Sequence, residues 1–452
     1  IREIEVLRRA AALGLAVIVT DHHLPGPELP PAAAILNPHQ AACAYPDKGL
    51  CGSGVAFKLA QALLERSGKL EGAWPPGLRS YLKLVALGTI ADAVPLLGEN
   101  RVLARFGLEG LANPVNPGLR ALLADALPAG RQTVSGADVA YRIAPRLNAA
   151  GRMGAADKVV ELFFAPAPQS VALAQELAGL NLERQRICER IAREIEARLA
   201  AEPGLLEAPV LLLAGEGWHR GVLGIVASRM LARCGRPVLV IGLEPRAEGG
   251  TQAFGSGRAP NGVHLLERLE ACAELFDRFG GHAGAVGFSM PAERLEALQH
   301  ALSGQPPPIS TAVAAEGFEV ALGELTPGFA RELERMEPFG EGNPEPVFCA
   351  RAARVALPPQ RLKERHLKLV VEQAGARHTA LFWNLWREGD YQPAPGRPPW
   401  EELQVGTTLD LVFRLERSVH PQYGERTQLI LREFFVTRPA PAESYVTAEQ
   451  SL

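Results

Sequence analysis

The chain has 452 residues, of which 47% are hydrophobic and 21% are charged, with a formal net charge of −3. This composition is typical of folded globular protein, and the length predicts two to four domains. A nearly neutral charge excludes a globally basic nucleic-acid-binding protein, so any attraction for phosphate must be local. No apolar run approaches the roughly 20 residues that cross a bilayer, so we expect no membrane partner.

The six cysteines are scattered along the chain without a Cys-x-x-Cys pair. This spacing argues against a zinc ribbon, and scattered reduced thiols are typical of a cytoplasmic protein. We therefore expect a cytoplasmic localisation.

Residues 1–13 have helical spacing, and the apolar run Leu13–Val19 follows them. The run ends in Asp21-His22-His23 and is too short for a signal peptide, so it predicts a buried strand. These two elements are typical of the end of a βαβ unit without its beginning. We expect a parallel-sheet α/β domain that is incomplete at its N-terminus.

Changes of pattern divide the rest of the chain. Isoleucines at positions 187, 191 and 195 predict a long amphipathic helix, and a second α/β unit follows it. Alternating apolar residues after residue 347 predict about five short strands, for which a small barrel with an OB-fold is the leading candidate. The predicted divisions are an α/β domain over 1–165, a connecting helix over 166–203, an α/β phosphate-binding or nucleic-acid-binding domain over 204–305, a linker over 306–340, a barrel over 341–437 and a tail over 438–452.

Asp21, His22 and His23 directly follow the predicted strand, at the end of a strand where ligands bind in open α/β sheets. Carboxylate and imidazole groups together suit Mn²⁺, and Mg²⁺ less well. Asp92 stands in an apolar segment, where a buried carboxylate needs a cation or strong donors. The structural alternatives are a polar loop with imidazoles bonded to the backbone, and an aspartate that caps the turn before Pro95.

Three segments rich in glycine or alanine carry strong hydrogen-bond donors, namely Arg146–Arg152, Gly255–Arg258 and Phe279–Phe288. Backbone amides in such loops can form concavities for anions, and arginine binds phosphate through two donors at once. Tight turns and solvated arginines are the structural alternatives. None of the segments ends as a Walker loop does, so we expect no hydrolysis of nucleoside triphosphates.

The segment Arg351–His378 contains seven lysines or arginines and two glutamates, within the predicted barrel. Phe382, Trp383 and Trp386 follow it. Basic strands with aromatic faces form platforms for single-stranded nucleic acid. The core of a barrel could use the same aromatic residues, and the sequence does not decide between these interpretations.

Taken in chain order, these segments resemble the motifs of the RecJ-type proteins of the DHH phosphoesterase family. The first four matching motifs are Val17–His23, Gly52–Lys58, Gly88–Asp92 and Arg146–Arg152. Trp218–Arg229 and Gly280–Ala283 are similar to the DHH-associated domain, and Pro338–Pro344 is similar to the entry of the RecJ OB domain. The resemblance covers nearly the whole chain, and the order of the motifs makes it specific.

This resemblance implies an exonuclease that degrades single-stranded DNA from its 5′ end and releases 5′-mononucleotides in repair and recombination. It implies two-metal-ion catalysis with Mn²⁺ or Mg²⁺. The implied partners are single-stranded DNA, a single-strand-binding protein and a recombination helicase.

The resemblance also implies roles for individual side chains. His22 and Asp92 would ligate one of two metals, His23 would meet the scissile phosphate, and Asp21 would support the site from the same loop. The side chains implied to hold phosphates of the strand are Asn148, Arg152, Ser256, Arg258 and His282.

Family motifs with further aspartates precede the DHH motif and lie before Ile1, so we expect this chain alone to bind two metals poorly and to be inactive. Two other functions compete with the exonuclease. One is a DHH phosphodiesterase for dinucleotides or short oligonucleotides, against which the predicted barrel argues. The other is a non-catalytic DHH-derived scaffold that binds DNA in replication, against which the presence of His22, His23 and Asp92 argues.

Overall fold

The structure is a computed structural model that describes residues 1, 3–69, 75–130, 133–246, 249–304, 317–363, 365–383, 385, 403–420 and 424–437. Its helices are α1 (Ile4–Ala12), α2 (Gly52–Arg66), α3 (Pro76–Arg79), α4 (Leu82–Ala91), α5 (Gly98–Leu111), α6 (Pro117–Ala126), α7 (Gly136–Asp138), α8 (Ala144–Arg152), α9 (Asp157–Phe164), α10 (Ala167–Ala201), α11 (Leu223–Cys234), α12 (Leu265–Glu270), α13 (Leu295–Ser303) and α14 (Pro327–Glu334). Its strands are β1 (Ile18–Thr20), β2 (Ala34–Leu36), β3 (Leu211–Glu216), β4 (Val238–Pro245), β5 (Thr251–Arg258), β6 (Arg278–His282), β7 (Ala285–Pro291), β8 (Phe318–Glu319), β9 (Phe348–Leu362), β10 (His366–Gln373), β11 (Ala376–Phe382), β12 (Thr408–His420) and β13 (Gly424–Val436).

The chain forms two compact units. Unit 1 comprises residues 1–94 and 98–312, and unit 2 comprises residues 95–97 and 313–452. In the part of the chain that the structure describes, no helix is long and apolar enough to cross a membrane.

The strand predicted before Asp21 is present, but it is not buried. β1 pairs in parallel with β2, with Ile18 opposite Ala34. Ile18 is 60% exposed and Leu15 is also 60% exposed, so the expected burial is wrong. The reason is that β2 is the only strand that pairs with β1 among the described residues, which leaves most of its surface uncovered.

Helices α4 to α9 form the first core of unit 1, in which close contacts depend on glycine. Asn116 caps α6 by accepting a hydrogen bond from the Leu119 backbone N–H at 2.8 Å, and Pro117 occupies the first helical turn. At Gly118, a Cβ atom would lie 1.9 Å from the carbonyl oxygen of Leu162. Helix α6 can therefore approach α9 only because this position lacks a side chain.

The long helix predicted between the two α/β regions is confirmed as α10. Leu173 and Leu177 near its start belong to the first core, whereas Ile191 and Ile195 near its end belong to a second core beneath the next sheet. A single helix thus contributes to both parts of unit 1, which fixes the sites they carry in one compact body.

The second sheet has the strand order β3-β4-β5-β7-β6. β3 and β4 are parallel, and all other neighbours are antiparallel. Helices α10 and α11 cover one face of β3 and β4, and a separate core containing Leu239 and Ile241 fills the opposite face. This confirms a second α/β domain.

Unit 2 contains a closed barrel of five strands. β9 pairs with both β10 and β12, and the ring continues through β11 and β13. The alternating residues predicted to face the core are all fully buried, including Leu367, Leu369 and Val371 in β10. Leu431 and Phe434 are three positions apart yet both buried, because the β12–β13 register shifts between them and Arg432 forms a bulge.

Part of the predicted linker folds with the barrel. β8 pairs in parallel with β9, and Leu322, Leu325 and Ala330 belong to the barrel core. Apolar side chains within residues 317–340 are thus buried against the strands of the barrel. Residues 306–316, residues 392–400, Trp386 and the tail 438–452 lie outside the described residues.

Candidate active site

Asp21 organises the loop that follows β1. Its Oδ1 atom accepts hydrogen bonds from the backbone N–H groups of His22 at 2.7 Å and His23 at 3.1 Å. The same oxygen lies 2.7 Å from Nδ1 of His23. Burial raises the pKa of Asp21, whereas the hydrogen bonds from His23 and His22 lower it. Asp21 is therefore an anionic support for the two histidines.

Asn37 anchors the same loop from the end of β2. This buried side chain donates to the carbonyl oxygen of His23 at 2.8 Å and accepts from the backbone N–H of His39 at 2.8 Å. Asn37 was not identified from the sequence. Its signal was available, because β1 and β2 are parallel and Asn37 follows β2 as Asp21 follows β1.

His22 and Asp92 meet, although they are distant in sequence. His22 Nε2 lies 3.1 Å from Asp92 Oδ2, and the His22 side chain is only 18% exposed. Asp92 is the C-cap residue of α4, where the helix dipole disfavours a carboxylate. The next residue, Ala93, has a left-handed backbone with φ 54°. Asp92 is 45% exposed, so the burial expected for this carboxylate is wrong, although the residue does lie beside an imidazole.

Contacts between α2 and α4 determine how closely these two residues approach. A Cβ atom at Gly88 would lie 2.2 Å from Ser53 Oγ, so α4 packs directly on the start of α2. Cys51 Sγ lies 3.0 Å from Ser53 Oγ and 3.3 Å from Thr89 Oγ1, which links the two helices further. This small polar network lies one helical turn before Asp92 and was not identified from the sequence.

The donor set of this site suits a divalent transition ion. His22 offers an imidazole nitrogen and Asp92 a carboxylate oxygen, which together favour Mn²⁺ over Mg²⁺. Within the described residues, no group of three or more His, Cys, Asp or Glu side chains is arranged to hold a metal. The pair therefore fits part of a metal site and does not complete one.

Arg152 and Arg258 form a second cluster at the first turns of α11. Arg152 donates to the carbonyl oxygen of Gly221 at 3.1 Å, and Arg258 donates to the Gly257 carbonyl at 2.7 Å. A Cβ atom at Gly224 would lie 3.1 Å from the Arg258 guanidinium and 3.0 Å from Ser256 Oγ. Burial, followed by the charge of Arg152, lowers the pKa of Arg258. In the described part of the chain, neither arginine forms an ion pair with a carboxylate, which leaves both available to an anion.

His282 shares one sheet face with Arg258. Both residues lie directly opposite Ala285 of β7, from neighbouring strands on its two sides. Residues directly opposite each other in a sheet point to the same face. In the next row, Ser256 lies opposite Gly287, and Gly287 lies opposite Gly280. This face therefore has an open floor of small residues beside the arginine cluster.

Helix α8 carries Asn148 and Arg152 four positions apart, so both lie on one exposed side of the helix. A π-helical turn, Val139–Ile143, leads directly into α8. Arg146 is not available for phosphate, because its Nε donates to Asp125 Oδ2 at 2.8 Å. The structure thus brings Arg152, Ser256 and Arg258 together, with Asn148 and His282 on adjoining surfaces.

The aromatic residues of the barrel divide between its core and its surface. Phe382 packs against the core, with its ring 6.1 Å from that of Phe434. Trp383 is 47% exposed, and its ring is 4.9 Å from that of His366. Burial, assisted by the charges of Arg365 and Lys363, lowers the pKa of His366. Phe382 therefore belongs with the barrel core, whereas Trp383 lies on the surface, where a platform for single strands remains a prediction.

Three regions of the chain match models of known protein families. Residues 1–89 match the model of the DHH family, N-terminal domain, residues 207–305 match the DHHA1 domain, and residues 318–433 match the RecJ OB domain. The matched order agrees with the two parts of unit 1 and the barrel of unit 2.

Relatives cover most of the chain. The single-stranded-DNA-specific exonuclease RecJ of Dickeya dadantii is 40% identical over 80% of this chain and 65% of its own length. The RecJ of Bacillus subtilis is 36% identical over 83% of this chain and 47% of its own length. That of Haemophilus influenzae is 33% identical over 82% of this chain and 67% of its own length. The chain belongs to the RecJ family.

Solved RecJ structures share its fold. The RecJ of Thermus thermophilus in complex with Mn²⁺ superposes with a TM-score of 0.77 at 32% identity, over 97% of this chain and 60% of that chain. An exonuclease RecJ bound to manganese superposes with a TM-score of 0.54 at 35% identity, over 69% of this chain and 75% of that chain. The DHH, DHHA1 and OB-fold architecture expected from the sequence is confirmed.

The roles of individual side chains and the domain boundaries remain predictions. The chain spans about half to two thirds of the length of the curated relatives it matches.

Proposed function

We propose that this RecJ-family chain forms the catalytic and strand-binding part of a metal-dependent exonuclease that degrades single-stranded DNA from the 5′ end to 5′-mononucleotides. The observation that carries the proposal is the presence of two complementary sites in one compact unit. The His22–Asp92 pair supplies metal ligands, and Arg152 and Arg258 supply cations without carboxylate partners among the described residues. Phosphodiester hydrolysis needs both kinds of group.

His22 and Asp92 would hold one of two Mn²⁺ or Mg²⁺ ions in the functional enzyme. When bound, the metals would supply a nucleophilic hydroxide and charge stabilisation for the leaving oxygen. Asp21 fixes the His23 ring, which is 71% exposed and free to approach a phosphate oxygen. These residues thereby orient the scissile group, and the RecJ structures containing Mn²⁺ and Mg²⁺ support the choice of metals.

Arg152, Ser256 and Arg258 would bind the terminal phosphate, with Asn148 and His282 on the adjoining surfaces. Contacts to phosphate position a strand without reading its bases, so the activity would not depend on sequence. The 5′ polarity follows from family membership. The name that the relatives carry, single-stranded-DNA-specific exonuclease, supports the substrate class.

The barrel would bind a further part of the strand. Its basic segment and the exposed Trp383 are typical of surfaces on which single strands stack. A role in repair and recombination, with a single-strand-binding protein and a recombination helicase as partners, rests on family membership alone. Six cysteines without a disulfide support a cytoplasmic localisation.

The test compares the full-length protein with His22→Ala on 5′-phosphorylated single strands in the presence of Mn²⁺. We expect the wild type to release mononucleotides and His22→Ala to lose cleavage by about 10³-fold or more, since a metal ligand is removed. Binding of the strand in EDTA should change less than about twofold, because the phosphate contacts remain. His300→Ala, at an exposed position of α13, is the matched control and should retain full activity.

Equal cleavage rates for the wild type and His22→Ala would contradict the metal assignment. Binding of the strand without cleavage by the wild type would favour a non-catalytic DNA-binding scaffold. Cleavage of dinucleotides alone would favour a phosphodiesterase for short oligonucleotides.

A further inference from the structure

Arg220 is an exposed arginine whose donors have no protein partner within the described part of the chain. Among those residues it forms no hydrogen bond and no ion pair, and its one close interaction is with an aromatic ring. Its guanidinium carbon lies 5.5 Å from the centre of the Phe254 ring. A guanidinium stacked on a ring keeps its N–H groups at its edge, where they can bind a phosphate through two donors.

Phe254 places this arginine on the same surface as the phosphate cluster. Phe254, Ser256 and Arg258 alternate along β5, so their side chains point to one face of the sheet. Successive side chains on that face are separated by roughly 6.6 Å, which is two residues of strand rise. Arg220 therefore lies about one row from Ser256, toward the start of β5.

The backbone of the loop that carries Arg220 packs directly on the sheet. Gly242 lies opposite Phe254, and a Cβ atom at Gly242 would lie 2.2 Å from the carbonyl oxygen of Trp218. The loop backbone therefore rests on this row of the sheet because Gly242 lacks a side chain.

Helix α10 fixes the same loop from the side. The indole Nε1 of Trp218 donates to Glu194 at 2.6 Å, and Arg190 donates to the carbonyl oxygen of Gly217 at 3.2 Å. The backbone around Arg220 is thus held by contacts from both the sheet and the helix, which places the arginine before a ligand binds.

The sheet beside Arg220 is open to a ligand. A Cβ atom at Gly280 would have no heavy atom within 4 Å, and one at Gly287 would meet only the Gly255 carbonyl oxygen at 4.0 Å. Arg278 lies on the same face, in the row of Phe254 and Ser289. A chain of phosphates can therefore run over a flat floor between cationic side chains.

We infer that Arg220, stacked on Phe254, binds a second phosphate of the strand, next to the one held by Arg152, Ser256 and Arg258. This inference rests on the proposed function and adds to it a preference for ligands with two or more phosphates. The site would distinguish a strand with at least two phosphates from a single nucleotide. No covalent step is involved.

The experiment measures binding of 5′-phosphorylated oligothymidylates of one, two and twelve nucleotides to the full-length protein in EDTA, so that cleavage does not interfere. We expect Arg220→Gln to weaken binding of the two-nucleotide and twelve-nucleotide ligands about tenfold, as for loss of a charge-assisted hydrogen bond pair. Binding of the mononucleotide should be unchanged. Because one phosphate contact is lost, the salt dependence of twelve-nucleotide binding should become shallower by about 0.7 in the slope of log K against the logarithm of salt concentration.

Three further variants separate this role from general effects. Arg258→Gln should weaken all three ligands, because it removes the shared first phosphate contact. Phe254→Leu should weaken the two-nucleotide ligand about threefold while leaving the mononucleotide unaffected, since only the stacking surface is lost. Arg193→Gln, at an exposed position of α10, is the charge-matched control and should change nothing.

Equal binding of the two-nucleotide ligand by the wild type and Arg220→Gln would overturn the inference, as would equal weakening of the one-nucleotide and two-nucleotide ligands. These outcomes would leave the proposed function standing. Failure of the wild type to bind any of the phosphorylated strands would instead contradict the proposed function itself.

Discussion

His22 Nε2 lies 3.1 Å from Asp92 Oδ2, and this contact joins the loop after β1 to the C-terminus of α4. The two residues belong to separate elements whose distance depends on how α4 packs against α2. That packing depends in turn on Gly88, which leaves room for Ser53. The geometry of the candidate metal site is therefore determined by a small contact one helical turn away.

Gly88→Ala should lower metal-dependent cleavage without removing any ligand. The added Cβ would lie 2.2 Å from Ser53 Oγ, so α4 must shift and Asp92 must move away from His22. A displacement of this kind can lower a rate about 10²-fold. The measurement is the Mn²⁺ dependence of strand cleavage. Gly88→Ala combined with Ser53→Gly, which restores the space, should recover most of the loss, and failure to recover would contradict this explanation.

Two glycine substitutions in helices should change stability in opposite directions. Gly118→Ala would place a Cβ 1.9 Å from the Leu162 carbonyl oxygen, whereas Gly179→Ala on α10 meets nothing within 4 Å. We expect the first to lower the free energy of unfolding by about 1–3 kcal/mol or more through overpacking. The second should raise it by about 0.5–1 kcal/mol through helix propensity. Denaturant unfolding of both variants checks this, and a loss of stability in Gly179→Ala would refute it.

Trp383→Ala should weaken binding of long single strands more than hydrolysis of dinucleotides. Stacking of one base on an aromatic side chain contributes about 1–3 kcal/mol, and Trp383 is 47% exposed. Fluorescence anisotropy with long and short ligands provides the measurement. Phe382→Leu is the matched control, because Phe382 packs against the barrel core and its loss should lower thermal stability instead. Equal effects of Trp383→Ala on both ligands would exclude a platform at this residue.

Buried thiols should make stability and reactivity depend on pH. Burial raises the pKa of Cys188 and Cys272 above the ordinary value of 9.0, although nearby arginines partly oppose this at Cys188. Their contribution to stability is complete below that ordinary value and declines as pH rises through the folded pKa. Native protein at about pH 8 should therefore react with iodoacetamide more slowly at these thiols than unfolded protein does, since the thiolate is the nucleophile. Mass spectrometry of the labelled sites measures this, and equal rates in both states would disprove it.

Local patterns in the sequence predicted several of the individual elements. The alternation of Leu367, Leu369 and Val371 identified a core-facing strand, because side chains in a strand point alternately to opposite faces. The four-residue recurrence of isoleucines identified α10, because residues so spaced lie on one side of a helix. The alternation breaks between Leu431 and Phe434, and the register shift between β12 and β13 explains this break.

The burial of a side chain and the identity of its partner were harder to predict from the sequence. The apolar run before Asp21 predicted a buried strand, but exposure depends on which elements cover it and not on the run itself. Arg146 and Arg152 looked equivalent in sequence, yet Asp125 pairs with Arg146, while Arg152 reaches the Gly221 carbonyl. Such partners come from distant parts of the chain, so no local pattern encodes them.

By itself, the sequence determined that an Asp-His-His motif follows a strand, that a long helix joins two α/β regions and that a barrel comes last. These properties depend on backbone periodicity and on the order of motifs along the chain. Only the tertiary structure decided that His22 meets Asp92, that Arg152 and Arg258 meet at the first turns of α11 and that Arg220 stacks on Phe254. Distances of a few ångströms between remote residues follow from the packing of helices and sheets. Close contacts at glycines such as Gly88 and Gly242 determine that packing.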